Sequence, residues 1–289
     1  MANTQALKFR IRSVKSTKQI TKAMQLVAAS KMRRAQEATK ASSPYTEAAR
    51  QLLANLASRT SVKRHPLFAQ RPVKTRLLIV LASDRGLAGA FNSNLTRLYA
   101  QELLADDKAG IKNATITIGR KAAQFVARLK DTNVLGSYQD LPDRPDSSEL
   151  HAILDTARQR FVSGEVDAVD IVYTDYVSSV VQRAIVQRVL PAGIGEVEAS
   201  NAAQDITYEP STDEVLDGVA YRLVGAQLYQ ALLDSRASEY SMRMMAMKNA
   251  TDNASDLIDD LTLEMNKVRQ NAITQELSEI SGGVEALND

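Results

Sequence analysis

Two long stretches without helix breakers constrain this chain more than any other feature. Glycine is absent from residues 1–85 and proline from residues 1–43, while residues 226–281 contain neither. Glycine costs a helix backbone entropy, and proline removes a hydrogen bond and clashes with the preceding turn. The two ends of the chain are therefore where very long helices can run. From about Ser211 to Ser281 such a helix extends roughly 105 Å at ~1.5 Å per residue. A compact chain of this length is only about 40–50 Å across, so a helix of that length projects from any globular body. Pro44 is expected to kink or interrupt the first helix, and Pro66 and Pro72 mark the end of its arm.

A projecting helix needs a cover for its apolar stripe. Met247, Ala250, Ala254, Leu257, Leu261, Met265, Val268 and Ala272 alternate by threes and fours, which is coiled-coil spacing. The N-terminal segment answers with Ile20, Met24 and Val27, then Ala28, Ala35 and Ala38. Chain ends that pair after a long excursion run antiparallel. Small residues let the two backbones approach closely, and no aromatic interrupts residues 10–44 or follows Tyr240. Four methionines crowd into residues 242–247, and flexible methionine fills irregular gaps.

Charge follows the same division. Residues 1–64 carry 14 Lys and Arg against Glu37 and Glu47, and residues 209–289 carry 15 acidic groups against 6 basic ones. A basic arm often signals nucleic acid. An acidic arm of similar length offers a partner within the chain, and complementary arms that pair with each other are the favoured expectation. The competing reading is a coiled-coil adaptor or nucleic-acid-associated protein.

The middle of the chain reads differently. The segments 75–83, 113–119 and 167–174 are short, β-branched apolar runs suited to buried strands, with a further strand candidate in 179–191. Helical stretches near 93–106, 120–130 and 147–162 lie between them. Alternating strand and helix predicts a small Rossmann-like α/β domain with a largely parallel sheet. The expected organisation is an N-terminal coiled-coil helix over 1–64, an α/β domain over 74–195 and a C-terminal coiled-coil helix over 209–289.

Candidate chemistry is sparse. The first strand runs into SDRGLAGAFNSNL (83–95), the place where a doubly wound fold binds nucleotides. Its glycines, Gly86 and Gly89, match neither the dinucleotide fingerprint nor a P-loop. Asp84 and Arg85 are phosphate-contact candidates there, and a tight turn at Gly86 explains the stretch equally well. His65 and His151 are isolated and there is no cysteine, so no metal site, cofactor or catalytic set is expected. No apolar run approaches the roughly 20 residues that span a bilayer. The N-terminus lacks the apolar stretch of a secretion signal.

Three long motifs resemble the gamma subunit of F-type ATP synthase. These are IRSVKSTKQITKAMQLVAASKMRRAQ (11–36), SDRGLAGAFNSNL, and the segment from MAMKNATDNASDLI to NKVRQNAITQELSEI within 245–280. They occur in the family's order across nearly the whole chain. The chain departs from the pattern at its end, with Gly282-Gly283-Val284 where the family usually has Ser-Gly-Ala.

The resemblance implies a non-catalytic rotor stalk: an antiparallel coiled coil inside a ring of alpha and beta subunits, with epsilon and the membrane c-ring at the base. It implies beta-subunit contacts at Met24, Arg269, Gln270 and Thr274, and c-ring contacts at Tyr208 and Glu209. Packing within the coiled coil then falls to Ile20, Val27, Met247, Ala250, Ala254, Leu257, Leu261, Met265 and Val268. It also implies no nucleic-acid partner, no cysteine-bearing redox insert, and a place on the cytoplasmic face of the cell membrane, attached only through the complex.

Overall fold

A computed structural model describes residues 2–57, 65–130, 132–143, 147–192 and 212–288. The chain divides into two compact units, one of Met1–Ala28 with Arg243–Asp289 and one of Ala29–Met242. Both long helices, α1 (Ala2–Ala57) and α5 (Thr212–Asn288), contribute to both units.

In the first unit α1 pairs with α5. Thr21 meets Thr251, with 2.8 Å between the hydroxyls, while Leu7 and Ile11 cluster with Leu261. Rising numbers on one helix meet falling numbers on the other, so the pair is antiparallel. The seam on α5 runs Met247, Thr251, Ala254, Ile258, Leu261, Met265, Val268, and on α1 it runs Leu7, Ile11, Val14, Lys18, Thr21, Gln25, Ala28, with each of these residues at least partly buried. Both follow a strict alternation of fours and threes, which keeps a seam facing its partner.

Three residues expected in the seam lie outside it. Ile20 and Val27 are each 58% exposed and Leu257 is 46% exposed. Their neighbours Thr21, Ala28 and Ile258 occupy the seam positions, and Ala250 is half-buried beside Thr251. The strict alternation of fours and threes decides the register, and at two of its positions threonines are tolerated because their hydroxyls find partners inside the seam. Thr21 donates to the Lys18 carbonyl at 3.1 Å, and the Thr251 hydroxyl lies 2.8 Å from the Met247 carbonyl. The basic side chains of Lys8, Arg10, Arg12, Lys15 and Lys22 are exposed. Most of the charge in this stretch of α1 is thus turned outward, and the seam is apolar and hydroxyl-lined apart from the partly buried Lys18 and Gln25.

The second unit is built on five strands: β1 (Thr75–Leu81), β2 (Lys112–Ile118), β3 (Asn133–Tyr138), β4 (Ala168–Tyr176) and β5 (Gln182–Leu190). Their order is β3-β2-β1-β4-β5. The first four run parallel, and β5 returns antiparallel along β4. Helices α2 (Phe91–Lys108) and α3 (Arg120–Val126) cover the face carrying Leu78, Val80 and Val172. Helix α4 (Ser147–Val162) and the early turns of α5 cover the other face, over Leu77, Ile79, Leu81, Ile116 and Ile171. Gly225 lets α5 approach α4 closely, since a Cβ there would stand 3.1 Å from Leu154.

A buried charge cluster ties β1, β4, β5 and α2 together. Asp170, buried in mid-sheet, accepts from both Arg76 and Arg188, and Arg76 also reaches Glu102 at 2.8 Å and Asp106 at 3.1 Å. Burial works against the Arg76 charge, but Asp170 and its fellow carboxylates outweigh it and raise the guanidinium pKa.

Two further expectations change. Pro44 does not interrupt α1; it and Lys40, whose carbonyl it leaves without an amide partner, are both on the exposed face. Strand β3, unforeseen in the sequence, is a half-exposed edge strand carrying Gly136. Because Leu261 packs in the seam and Leu257 does not, Leu261→Ala should cost about 2 kcal/mol or more. Leu257→Ala should stay within about 0.5 kcal/mol. Equilibrium denaturation of the two variants, followed by helical circular dichroism, checks the difference.

Candidate functional site

In a doubly wound sheet the carboxyl ends of the strands form the crevice where ligands bind. Here that end is met by α5 itself. Residues 231–241 of α5 are buried without exception, although they include Asp234, Ser235, Arg236, Ser238, Glu239 and Ser241. Such a polar helix can be buried only if its groups find partners. Ser235 donates to the Leu81 carbonyl at the end of β1 (3.4 Å), and Ser238 to the Thr174 carbonyl on β4 (3.2 Å). Ser241 donates to the Ser179 carbonyl in the β4–β5 turn (2.7 Å).

On another side of the helix Arg236 donates to the Leu141 carbonyl at 3.0 Å and lies 3.7 Å from Asp84. Burial opposes its charge, and Glu239, Asp84 and Asp143 outweigh that cost and raise the guanidinium pKa. Asp84 is held in turn, accepting from the main-chain amides of Arg120 (2.9 Å) and Asp140 (3.1 Å). The carboxylate that the sequence offered as a phosphate contact therefore staples three loops and faces Arg236. The left-handed residues of the turn are Leu87 and Gly89 rather than Gly86. Beside it Gly119 is required, because a Cβ would stand 2.1 Å from the Ala82 carbonyl oxygen.

The second unit also fixes its portion of α1. Lys31 donates to Asp143 at 3.0 Å and reaches the Tyr240 hydroxyl at 3.4 Å, while Tyr240 donates to Asp143. Burial resists the Asp143 charge, yet bonds from Tyr240 and Lys31 hold its carboxyl below the usual range. Gln36 meets Tyr176, and Ser42 meets Gln230. None of Lys31, Asp143, Ser235, Arg236 or Ser238 stood out in the sequence.

Each expected contact residue has a definite place. Met24 is half-buried beside the seam, and Arg269, Gln270 and Thr274 are exposed on α5. Thr274 donates back to the Gln270 main-chain carbonyl at 3.0 Å, and Arg269 and Gln270 are themselves exposed. Met247, Ala254 and Leu261 are buried, and Met265 and Val268 pack against the Leu7–Ile11–Leu261 cluster. Arg33 and Arg34 are exposed. Tyr208 and Glu209 lie outside the described residues. Among the described residues no group of three acidic or histidine side chains could hold a metal ion. None of the described helices is long and apolar enough to cross a membrane.

A family model described as ATP synthase matches residues 3–287. A chain of Stenotrophomonas maltophilia (strain R551-3) named ATP synthase gamma chain is 40% identical over 288 residues, covering 99% of this chain and 100% of that one. The equivalent chain of Xanthomonas campestris pv. campestris (strain B100) is 39% identical with the same coverage. This chain belongs to the ATP synthase gamma-chain family. Solved structures share the fold at lower identity. One is from the OSCP/F1/c-ring assembly of Euglena gracilis mitochondrial ATP synthase, with a TM-score of 0.70 and 19% identity over 99% of this chain and 95% of that one. Another is from the central stalk and c-ring of the Tetrahymena thermophila enzyme, at 0.58 and 23% over 80% and 99%.

Within this gamma-family fold one carboxyl is set against its surroundings. Asp234 is buried on α5, bonded to Gln230 at 3.1 and 3.2 Å, and its pKa is pushed up to about 6 by burial and by the charge of Asp175. The folded state thus holds this proton more tightly than the unfolded chain does, so the contribution to stability is full below the ordinary value of 3.8, declines above it and is lost as pH rises through about 6. Asp234→Asn should raise stability at pH 7.5, by about 3 kcal/mol at most, and give little gain at pH 4. Denaturation midpoints of both proteins at the two pH values check this.

Proposed function

We propose that this chain is the central rotor stalk of an F-type ATP synthase, carrying torque between a membrane c-ring and a catalytic ring of alpha and beta subunits. The observation that carries this reading is its end-to-end correspondence with chains named ATP synthase gamma chain. The antiparallel helix pair supports it, because a pair with no threefold symmetry presents a different face to each of three identical subunits. Each beta subunit is then biased toward a different conformation, and turning the pair cycles every site through binding, synthesis and release. The chain makes and breaks no substrate bonds, and α5 residues fill the crevice where a nucleotide would otherwise sit. Epsilon and the c-ring are the expected partners at the base, and Tyr208 and Glu209 are the proposed c-ring contacts. The complex places the chain peripherally on the cytoplasmic face of the membrane. The nucleic-acid reading keeps only the exposed basic residues of α1 in its favour, and membership of the gamma family displaces it.

Assembly of the purified chain with alpha, beta and epsilon subunits, and restored ATP-driven ion uptake in vesicles, tests the proposal; failure of both defeats it. Met24 is half-buried beside the seam and partly accessible to a beta loop. A lysine there adds a charge that can form a persistent bond of up to about 1 kcal/mol with an acidic loop. Met24→Lys should therefore lower ion uptake per ATP hydrolysed more than it lowers hydrolysis, as parallel uptake and phosphate-release assays would reveal.

Arg269 and Gln270 point outward and are the proposed groups that bond and release as the pair turns. Replacing both by Leu should cut steady-state turnover by about threefold or more while assembly persists. Gel filtration and ATPase rates of the assembled complex measure the two effects separately.

A further inference from the structure

Hydroxyl side chains along α5 behave in two different ways. In the stretch that pairs with α1 and beyond it, Ser255, Thr262, Thr274 and Ser278 each donate to the carbonyl four residues earlier in their own helix, at 2.7–3.1 Å, and the Thr251 hydroxyl lies 2.8 Å from both the Met247 carbonyl and the Thr21 hydroxyl. That is the ordinary habit of a hydroxyl inside a helix. Ser235, Ser238 and Ser241 do otherwise. All three are buried, and each turns away from its own helix to a main-chain carbonyl of the sheet or the β4–β5 turn. Their spacing of three places them along one side of the helix.

We propose that these three serines are positioning residues that key α5 rotationally to the sheet, so that torque passes between the sheet and the paired stretch of α5 without slip. The proposal rests on the rotor reading above. Its physical basis is directionality. Ala231 and Ala237 flank the serines with small side chains, so the bulk that resists turning comes from Leu232, Leu233 and Tyr240, and the serines add bonds that hold in only one orientation. A shift of one residue along a helix is a rotation of about 100°, which carries all three hydroxyls away from their acceptors together. The acceptors are main-chain atoms at the ends of β1 and β4 and in the turn after β4, so they cannot follow by changing rotamer. Gln182 braces the last contact, its side-chain amide donating to the Ser241 hydroxyl at 3.4 Å. Arg236, bonded to the Leu141 carbonyl, opposes the same rotation from another side of the helix.

The test is Ser235→Ala with Ser238→Ala and Ser241→Ala in the complete complex in vesicles. Alanine keeps the helix and the close packing while removing all three bonds. ATP hydrolysis and ATP-driven ion uptake are measured together against increasing opposing ion gradients. The expected result is hydrolysis within about twofold of the unaltered complex at every load, with uptake per ATP unchanged at low load and about threefold lower at high load. A merely structural role would scale both rates together at all loads. A load-independent ratio equal to that of the unaltered complex overturns the proposal. If the triple variant does not assemble, Ser241→Ala alone is used; it should show a smaller loss confined to high load, and an unchanged ratio there overturns the proposal equally. Failure of the unaltered chain to support uptake at all would instead defeat the rotor reading.

Discussion

The burial of α5 residues 231–241 at the carboxyl end of the sheet is the constraint on which the rest of the second unit depends. A doubly wound sheet ends its parallel strands in a row of carbonyls and loop amides that need partners. In many proteins of this architecture a ligand supplies them. Here a polar helix supplies donors, with Ser235, Ser238 and Arg236 reaching the carbonyls of Leu81, Thr174 and Leu141. This explains why a segment reading LLDSRASEYS is buried all round when its hydropathy suggests a surface. It also explains why Asp84, at a nucleotide-binding position by topology, faces an arginine of the same chain.

The same constraint bears on α1. Tyr240 lies one turn after Arg236, and with Asp143 it holds Lys31. The loop that receives Arg236 through Leu141 thus also fixes α1 through Asp143. A buried helix, a loop and a second helix share one polar network, in which each charge is matched. Such networks are costly when half-satisfied and favour a single arrangement the more of their groups are paired; here the Arg236 Nε alone of that guanidinium's nitrogens has no bond among the described residues.

How far the sequence discloses this differs by element. The long helices were plain from the absence of glycine and proline, and the strands from runs such as TRLLIVL, since a strand covered on both faces is continuously apolar. Strand β3 escaped because an edge strand needs no such run; half of NVLGSY is exposed, none of it is fully buried, and it contains glycine. The seam was legible in period but shifted in register by one residue at Ile20, Val27 and Leu257. Selecting the more apolar neighbour leads to Ile20 and Val27, and hydropathy cannot separate Leu257 from Ile258, whereas a strict alternation of fours and threes leads to Thr21, Ala28 and Ile258. The contact residues Met24, Arg269, Gln270 and Thr274 came from family likeness, because exposure along a helix carries no local signature. The serine contacts had none either, since serine in a helix sequence looks the same whichever carbonyl it bonds.

The methionine cluster gains its meaning from this division of α5. Met242 closes one compact unit and Arg243 opens the other, within a helix that runs unbroken from Thr212 to Asn288. On one side of the cluster lies a segment held by directional bonds to main-chain atoms, and on the other a seam of apolar and hydroxyl contacts with α1. The groups required differ on the two sides, and Met242, Met244, Met245 and Met247 range from half-buried through exposed to buried within six residues. Unbranched, polarizable side chains fill such a changeover without imposing a shape of their own. A β-branched or aromatic residue at these positions would commit the helix surface to one environment, so the methionines mark where its requirements change.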